Sequence, residues 1–297
     1  MKIGIIGAGS LGLLYGGYLA TKHAVTMFPR SLEQAEKLCE HGITVCGENC
    51  FQVNVLSTMD VSALNEQDVI FVTVKQYHLM SIVNTLKNIE TSIPLVFLQN
   101  GMGHLTLLET LPQQIILVGT VEHGATRKNE MTVSHNGVGK TNIAFFCGHS
   151  DLLLKFFSSQ PEQFKFVHHD HYELMLLHKC FANAMINPLT AILKVKNGEL
   201  IRNSFYYKVF QSLFEELISL FPQLDREAMY RSVKNLCLST KENESSMLKD
   251  IKKGSKTEID AILGYMLGKA SEREQHVPIM TAIYQIVKGM ELDGTIK

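Results

Sequence analysis

A chain of 297 residues is longer than one ordinary hydrophobic core, so two domains are expected. Lysine plus arginine (28) balance aspartate plus glutamate (29) to a net charge of −1, which removes the basic field that a nucleic-acid partner or an anionic membrane needs. With 45% hydrophobic and 19% charged residues the composition is that of a globular protein, and no apolar run approaches the ~18 residues of a membrane span.

The first residues, "MKIGIIGAGS", run straight into a strand-like segment and lack the pattern of a signal peptide, so a cytoplasmic location is expected. Apolar runs rich in β-branched residues follow at Ile3–Ile6, Val25–Phe28, Val69–Val74, Leu95–Leu98 and Ile115–Val118. Helix-compatible segments separate the earlier runs at Leu11–Lys22, Leu32–His41 and Leu79–Asn88, an alternation that implies parallel βαβ units. Shorter runs near Thr132–Ser134, Ile143–Cys147 and Phe164–Val167 suggest further strands closing the domain. From Asp170 helical periodicity takes over: about Asp170–Leu193, with Asp170 as N-cap, then Phe205–Phe221, Asp225–Thr240, Glu258–Ser271 and Pro278–Glu291. The expected architecture is α/β plus all-α, with a Rossmann-like dinucleotide-binding domain (residues 1–168) followed by a helical C-terminal domain (residues 169–297). Cys39, Cys46, Cys50, Cys147, Cys180 and Cys237 form no CxxC pair and read as reduced thiols.

Gly7-Ala8-Gly9-Ser10-Leu11-Gly12 matches G-x-G-x-x-G in its required context, after an apolar strand and at the opening of a helix. Gly7 allows the turn, Gly9 lets a pyrophosphate approach the backbone, and Gly12 lets helix and strand pack closely. The helix N-terminus offers unpaired N–H groups and positive dipole to the phosphates. An NAD site places an acid at the end of the second strand, but here Pro29-Arg30-Ser31 follows that strand, and an arginine there suits a 2′-phosphate. NADP(H) is therefore the expected cofactor. Lys75 and Asn100 stand at the carboxyl ends of two further strands, where ligands of open α/β sheets bind.

"HKCFANAMINPL" (178–189) places Lys179, Asn183 and Asn187 in one column of an otherwise apolar helix. A solvent-facing stripe of an amphipathic helix and a functional column are both open readings; asparagine is a poor helix former, so two in one column suggest a task that offsets a small propensity cost. A lysine partly removed from water can act as a proton donor. In "NESSMLKDIKKGSKTEID" (243–260), Ser245, Ser246 and Thr257 read as helix caps and Glu258 as a first-turn acid. "VGKT" (138–141) lacks the upstream glycine of a Walker A loop, and "HHDH" (168–171) reads as a polar turn, so no metal site is expected.

Across essentially the whole chain the sequence resembles the ketopantoate reductase (2-dehydropantoate 2-reductase) family, through "GAGSLG", "VTVK", "QNGMG", "HGATR", "KCFANAMINPLTA", "NGEL", "ENESSML" and "KTEIDAILG", in order. The resemblance implies an active site in a cleft between the two domains and NADPH-dependent reduction of 2-dehydropantoate to (R)-pantoate, a step of pantothenate biosynthesis. It makes Lys179 the proton donor. It assigns Asn183, Asn187, Asn197 and Ser246 to substrate, and Asn100 to both substrate and nicotinamide. It assigns Gly7, Ala8, Gly9, Ser10, Leu11, Gly12, Arg30, Lys75, Ala125 and Glu258 to NADP(H). Pro29 before Arg30, the absence of Trp from "HHDHYELMLLHK" and the charged "SEREQHVP" depart from the usual pattern without touching the motif positions. The rival readings are a reductase of another small keto acid and a non-catalytic NADP-binding sensor. The intact Lys179, Asn183, Asn187, Ser246 and Glu258 argue against the sensor. The apolar helices of the second domain could pack internally or form a homodimer.

Overall fold

Strands covered on both faces are apolar at successive positions, not at alternate ones. "KIGII" and "VIFV" obey that rule and form central strands of a parallel sheet. The computed structural model describes residues 1–48 and 50–295. In chain order its strands are β1 (Lys2–Ile6), β2 (Ala24–Phe28), β3 (Ile43–Cys46), β4 (Cys50–Val53), β5 (Leu56–Ser57), β6 (Val69–Val72), β7 (Leu95–Phe97), β8 (Ile116–Val121), β9 (Gly124–Arg127), β10 (Thr132–Gly137), β11 (Lys140–Cys147) and β12 (Lys165–His168). Among them lie helices α1 (Ser10–Ala20), α2 (Leu32–His41), α3 (Leu79–Lys87), α4 (Leu105–Leu108) and α5 (Asp151–Ser158).

An eight-stranded sheet has the order β12-β11-β8-β7-β6-β1-β2-β5. Its strands from β5 to β8 pair in parallel, and β11 runs antiparallel to β8. The carboxyl ends of β1, β2, β6 and β7 thus share one edge, which carries the glycine turn, Pro29-Arg30, Thr73–Lys75 and Gln99. A second sheet of four strands, β4-β3-β10-β9, was not apparent in the sequence. Its outer strand β4 alternates exposed and half-buried positions and takes its register from β3, so no apolar run marks it. That register sets Cys46 opposite Cys50, and the two are joined in a disulfide, contrary to the expectation of reduced thiols throughout. Cys39, Cys147, Cys180 and Cys237 are free.

Residues 1–99 and 105–175 form one compact unit, and residues 100–104 with 176–297 a second. The core of the first includes Ile3, Ile5, Tyr15, Phe71 and Phe164, all fully buried. The second is helical: α6 (Tyr172–Leu193), which belongs to it from Leu176 on, α7 (Glu199–Arg202), α8 (Ser204–Ser219), α9 (Arg226–Ser239), α10 (Ser246–Lys252), a π-helical turn (Asp260–Gly264), α11 (Tyr265–Glu272) and α12 (Pro278–Thr295). Its helices start where side chains satisfy orphan N–H groups. Asp225 accepts from Ala228 N–H at 2.9 Å, and Ser245 from Leu248 N–H at 3.1 Å. Glu216 accepts from Ile279 and Met280 N–H at 2.9 and 2.8 Å, capping α12 just behind Pro278. α6 begins at Tyr172, two residues later than the sequence suggested. Among the described residues, no helix is long and apolar enough to cross a membrane.

Candidate functional site

In the first unit the glycine turn joins β1 to α1. Gly7 has φ +99°, a conformation that side chains rarely adopt. A Cβ on Gly12 would lie 1.9 Å from the Gly7 carbonyl oxygen, so this close approach admits glycine alone. A Cβ on Gly9 would meet nothing within 4 Å, leaving the backbone open where a diphosphate must come near. The first turn of α1 holds no acid and no capping side chain, so nothing there opposes an anion at its N–H groups and positive dipole end. These features fit a dinucleotide.

Three residues that the sequence did not single out hold this turn. Thr73 Oγ1 lies 3.0 Å from the carbonyl oxygens of Ile6 and Gly7. Gln34, buried, donates to Ala8 O at 2.9 Å and Glu130 O at 2.8 Å. Arg127 donates its backbone N–H to Ser10 Oγ at 3.0 Å and its guanidinium to Ala8 O at 3.4 Å, which brings an exposed cation to the rim of the loop. Ala125, two residues earlier on β9, pairs with His135 of β10. Arg30 is exposed just past β2, and the nearest following acid, Glu33, is engaged by Lys37 at 2.6 Å. Lys75 stands past β6, and Gln99, also unforeseen, donates to Val72 O and Val74 O at 2.9 Å each, fixing the strand ends beside it.

In the second unit, Asn100 Nδ2 donates to Glu258 Oε2 at 2.9 Å, a pairing across 158 residues. Gly101, at φ +77°, lies against Ala261: a Cβ there would sit 2.1 Å from the Ala261 carbonyl oxygen. Glu258 precedes the π-helical turn, where the sequence placed it inside a first helical turn. Such turns are frequent at functional sites. On α6 the polar column is not a solvated face. Lys179 and Asn183 are half-buried and Asn187 is buried, between the fully buried Phe181, Ala184 and Met185.

Asn197 is buried at 8% exposure. Its N–H donates to Asn243 O at 3.0 Å and its Nδ2 to Thr240 Oγ1 at 2.9 Å. Its Oδ1 has no hydrogen-bond partner among the described residues, so an acceptor is left for a ligand hydroxyl. Ser246 is the exposed first residue of α10, while the cap itself is Ser245, whose hydroxyl lies 2.7 Å from that of Thr190 on α6. Thus α6 and α10 are tied at the end of the column. Among the described residues, no group of three or more His, Cys, Asp or Glu could hold a metal ion.

The family model described as "Ketopantoate reductase PanE/ApbA" matches residues 3–147, and its C-terminal companion matches residues 171–291. The chain is 39% identical over 295 residues to the 2-dehydropantoate 2-reductase of Bacillus subtilis, covering 98% of each protein. It is 36% identical to that of Listeria innocua, covering 98% of this chain and 97% of the relative. A crystal structure of a probable 2-dehydropantoate 2-reductase from Bacillus subtilis superposes with a TM-score of 0.90 at 36% identity, over 98% of this chain and 100% of that one. D-mandelate dehydrogenase, solved with NADH and anilino(oxo)acetate, also reaches 0.90 over the full length of both chains, but at 21% identity it shares the fold alone. With both family models matched in order along the same architecture, the chain belongs to the ketopantoate reductase family.

Proposed function

We propose that this protein reduces 2-dehydropantoate to (R)-pantoate with NADPH, residues 1–168 serving mainly the cofactor and residues 169–297 mainly the substrate, with Asn100 serving both and Glu258 the cofactor. The observation that carries this reading is the Lys179–Asn183–Asn187 column, set among the buried Cys180, Phe181, Ala184, Met185 and Ile186 of α6, in a chain that follows the family along its whole length.

NADPH, when bound, supplies the hydride that reaches the C2 ketone carbon. As negative charge grows on the ketone oxygen, the Lys179 ammonium stabilises it and then delivers the proton. Asn183, Asn187 and Ser246 orient the substrate's carboxylate and hydroxyl, because a displaced ketone loses the advantage of proximity. The unpaired Asn197 Oδ1 accepts from the substrate hydroxyl. Asn100, steadied by Glu258, serves both nicotinamide and substrate. Gly7–Gly12 cradle the diphosphate, and Lys75 and the Ala125 backbone complete the cofactor site. The preference for NADPH over NADH rests on Arg30: a guanidinium binds a 2′-phosphate bidentately, and Glu33, already paired with Lys37, does not oppose it.

The test is turnover of 2-dehydropantoate by the purified protein with NADPH and with NADH, beside a panel of other 2-keto acids, read by loss of nicotinamide absorbance. The expected result is fastest turnover with 2-dehydropantoate and NADPH. Faster reduction of another keto acid would overturn the substrate, and equal use of NADH would overturn the role of Arg30.

A further inference from the structure

Helix α12 carries Tyr284, Lys288 and Glu291 at the i, i+4, i+7 spacing that lines up one helical face. All three are aimed at a single four-residue segment, Thr257–Asp260. Glu291 Oε1 accepts both the backbone N–H of Thr257, at 2.7 Å, and its hydroxyl, at 2.6 Å. The Thr257 hydroxyl in turn accepts the N–H of Ile259 at 3.2 Å. Lys288 bridges Glu291 Oε2 at 3.1 Å and Asp260 Oδ2 at 3.0 Å. Tyr284 donates to Asp260 Oδ1 at 2.7 Å. The backbone is therefore pinned on both sides of Glu258, and the carboxylate of Glu258 holds Asn100.

Such an arrangement exceeds what packing a terminal helix requires. The Glu291 side chain is 9% exposed, and a carboxylate that far from water is costly unless it is paired and hydrogen-bonded. Its partners are Thr257, the residue before Glu258, and the lysine that reaches the residue two places after Glu258. We infer that Glu291 and Lys288 are positioning residues for Glu258: they fix its carboxylate, and through it Asn100, for the nicotinamide end of NADP(H). The inference rests on the reading above that Glu258 and Asn100 serve the cofactor.

The test measures NADPH affinity by calorimetry, KM and kcat by turnover, and melting temperature, for Glu258→Ala, Glu291→Ala, Glu291→Gln, Thr257→Val, Thr257→Ser and the Glu258→Ala/Glu291→Ala double variant. Glu258→Ala is expected to weaken NADPH binding about tenfold, the loss of one charge-assisted hydrogen bond. Glu291→Ala should weaken it about three- to tenfold, and the double variant should be no weaker than Glu258→Ala alone, because positioning is worthless without the group positioned. Thr257→Val should follow Glu291→Ala in direction, and Thr257→Ser, which keeps the hydroxyl, should retain wild-type affinity. Should Glu291→Ala not fold, Glu291→Gln and Thr257→Val carry the comparison in the Glu258→Ala background. Losses that simply multiply in the double variants, or a lowered melting temperature with unchanged NADPH affinity, would reduce Glu291 to a structural residue and overturn the inference. If Glu258→Ala itself binds NADPH like wild type, the role given to Glu258 fails first, and that outcome is distinct from a harmless Glu291→Ala beside a damaging Glu258→Ala.

Discussion

His104 closes the Asn100–His104 loop and is 2% exposed, with neither ring nitrogen bonded to any described residue. Burial pushes its pKa down from 6.5 to about 4. The folded protein therefore keeps this ring neutral under conditions where the unfolded chain protonates it. Between the two pKa values the unfolded state binds more protons, so stability falls as pH drops through 6.5 towards 4 and levels off below. The ceiling of the effect is about 3.4 kcal/mol, from roughly 2.5 pKa units at 1.36 kcal/mol each. At about pH 5 the linkage gives roughly 2 kcal/mol. Other histidines titrate over the same range, so the measurement is a difference. Urea unfolding of wild type and His104→Leu is compared at about pH 7.5 and about pH 5. Leucine removes both orphan atoms at similar volume, and the variant should be at least as stable as wild type near neutrality. On acidification the gap should widen by about 2 kcal/mol in favour of the variant. A gap that stays constant between the two pH values would refute the reasoning, and so would an imidazole NMR titration with its midpoint near 6.5.

Lys179→Ala should lower kcat by about 10²–10⁴-fold in steady-state assays while the melting temperature stays near wild type, since the side chain is half-buried and outside the packed face of α6. Near-wild-type kcat would remove the proton donor from the proposal. Gly12→Ala drives a Cβ to 1.9 Å from the Gly7 carbonyl oxygen, and the resulting shift of α1 should weaken NADPH binding at least ~10-fold by fluorescence titration and cost stability of about 1–3 kcal/mol. Arg30→Ala and Arg127→Ala separate the 2′-phosphate role proposed for Arg30 from any contribution of the cation beside the glycine turn. The first should raise KM for NADPH about tenfold and leave NADH unaffected. The second, at the rim of the diphosphate loop, should raise both KM values together.

What could be read in the sequence depended on how local its cause was. The parallel strands were legible because burial on both faces writes a continuous apolar run, and the glycine turn because Gly7 and Gly12 answer local steric demands, with Gly9 leaving open backbone between them, within six residues. The column on α6 was legible because a helix has one period, so spacing alone assigns Lys179, Asn183 and Asn187 to one face. β4 and β9 were not, since they are half-exposed strands whose register comes from their neighbours. Nor was the link between Cys46 and Cys50, which that register creates. The site's supports stayed hidden for the same reason on a larger scale. Gln34 and Arg127 meet at the Ala8 carbonyl, Gln99 clasps the end of a strand 25 residues away, and Asn100 finds Glu258 158 residues on. Each of these bonds runs from a side chain across sequence distance to a group that carries no periodic signal. Spacing thus identifies side chains on a single helical face or turn, whereas the groups that hold those side chains still emerge when the chain is folded. Glu291 belongs to the second kind: in the sequence it is an acid near the end of an amphipathic helix, and in the fold it closes two hydrogen bonds to the residue before Glu258.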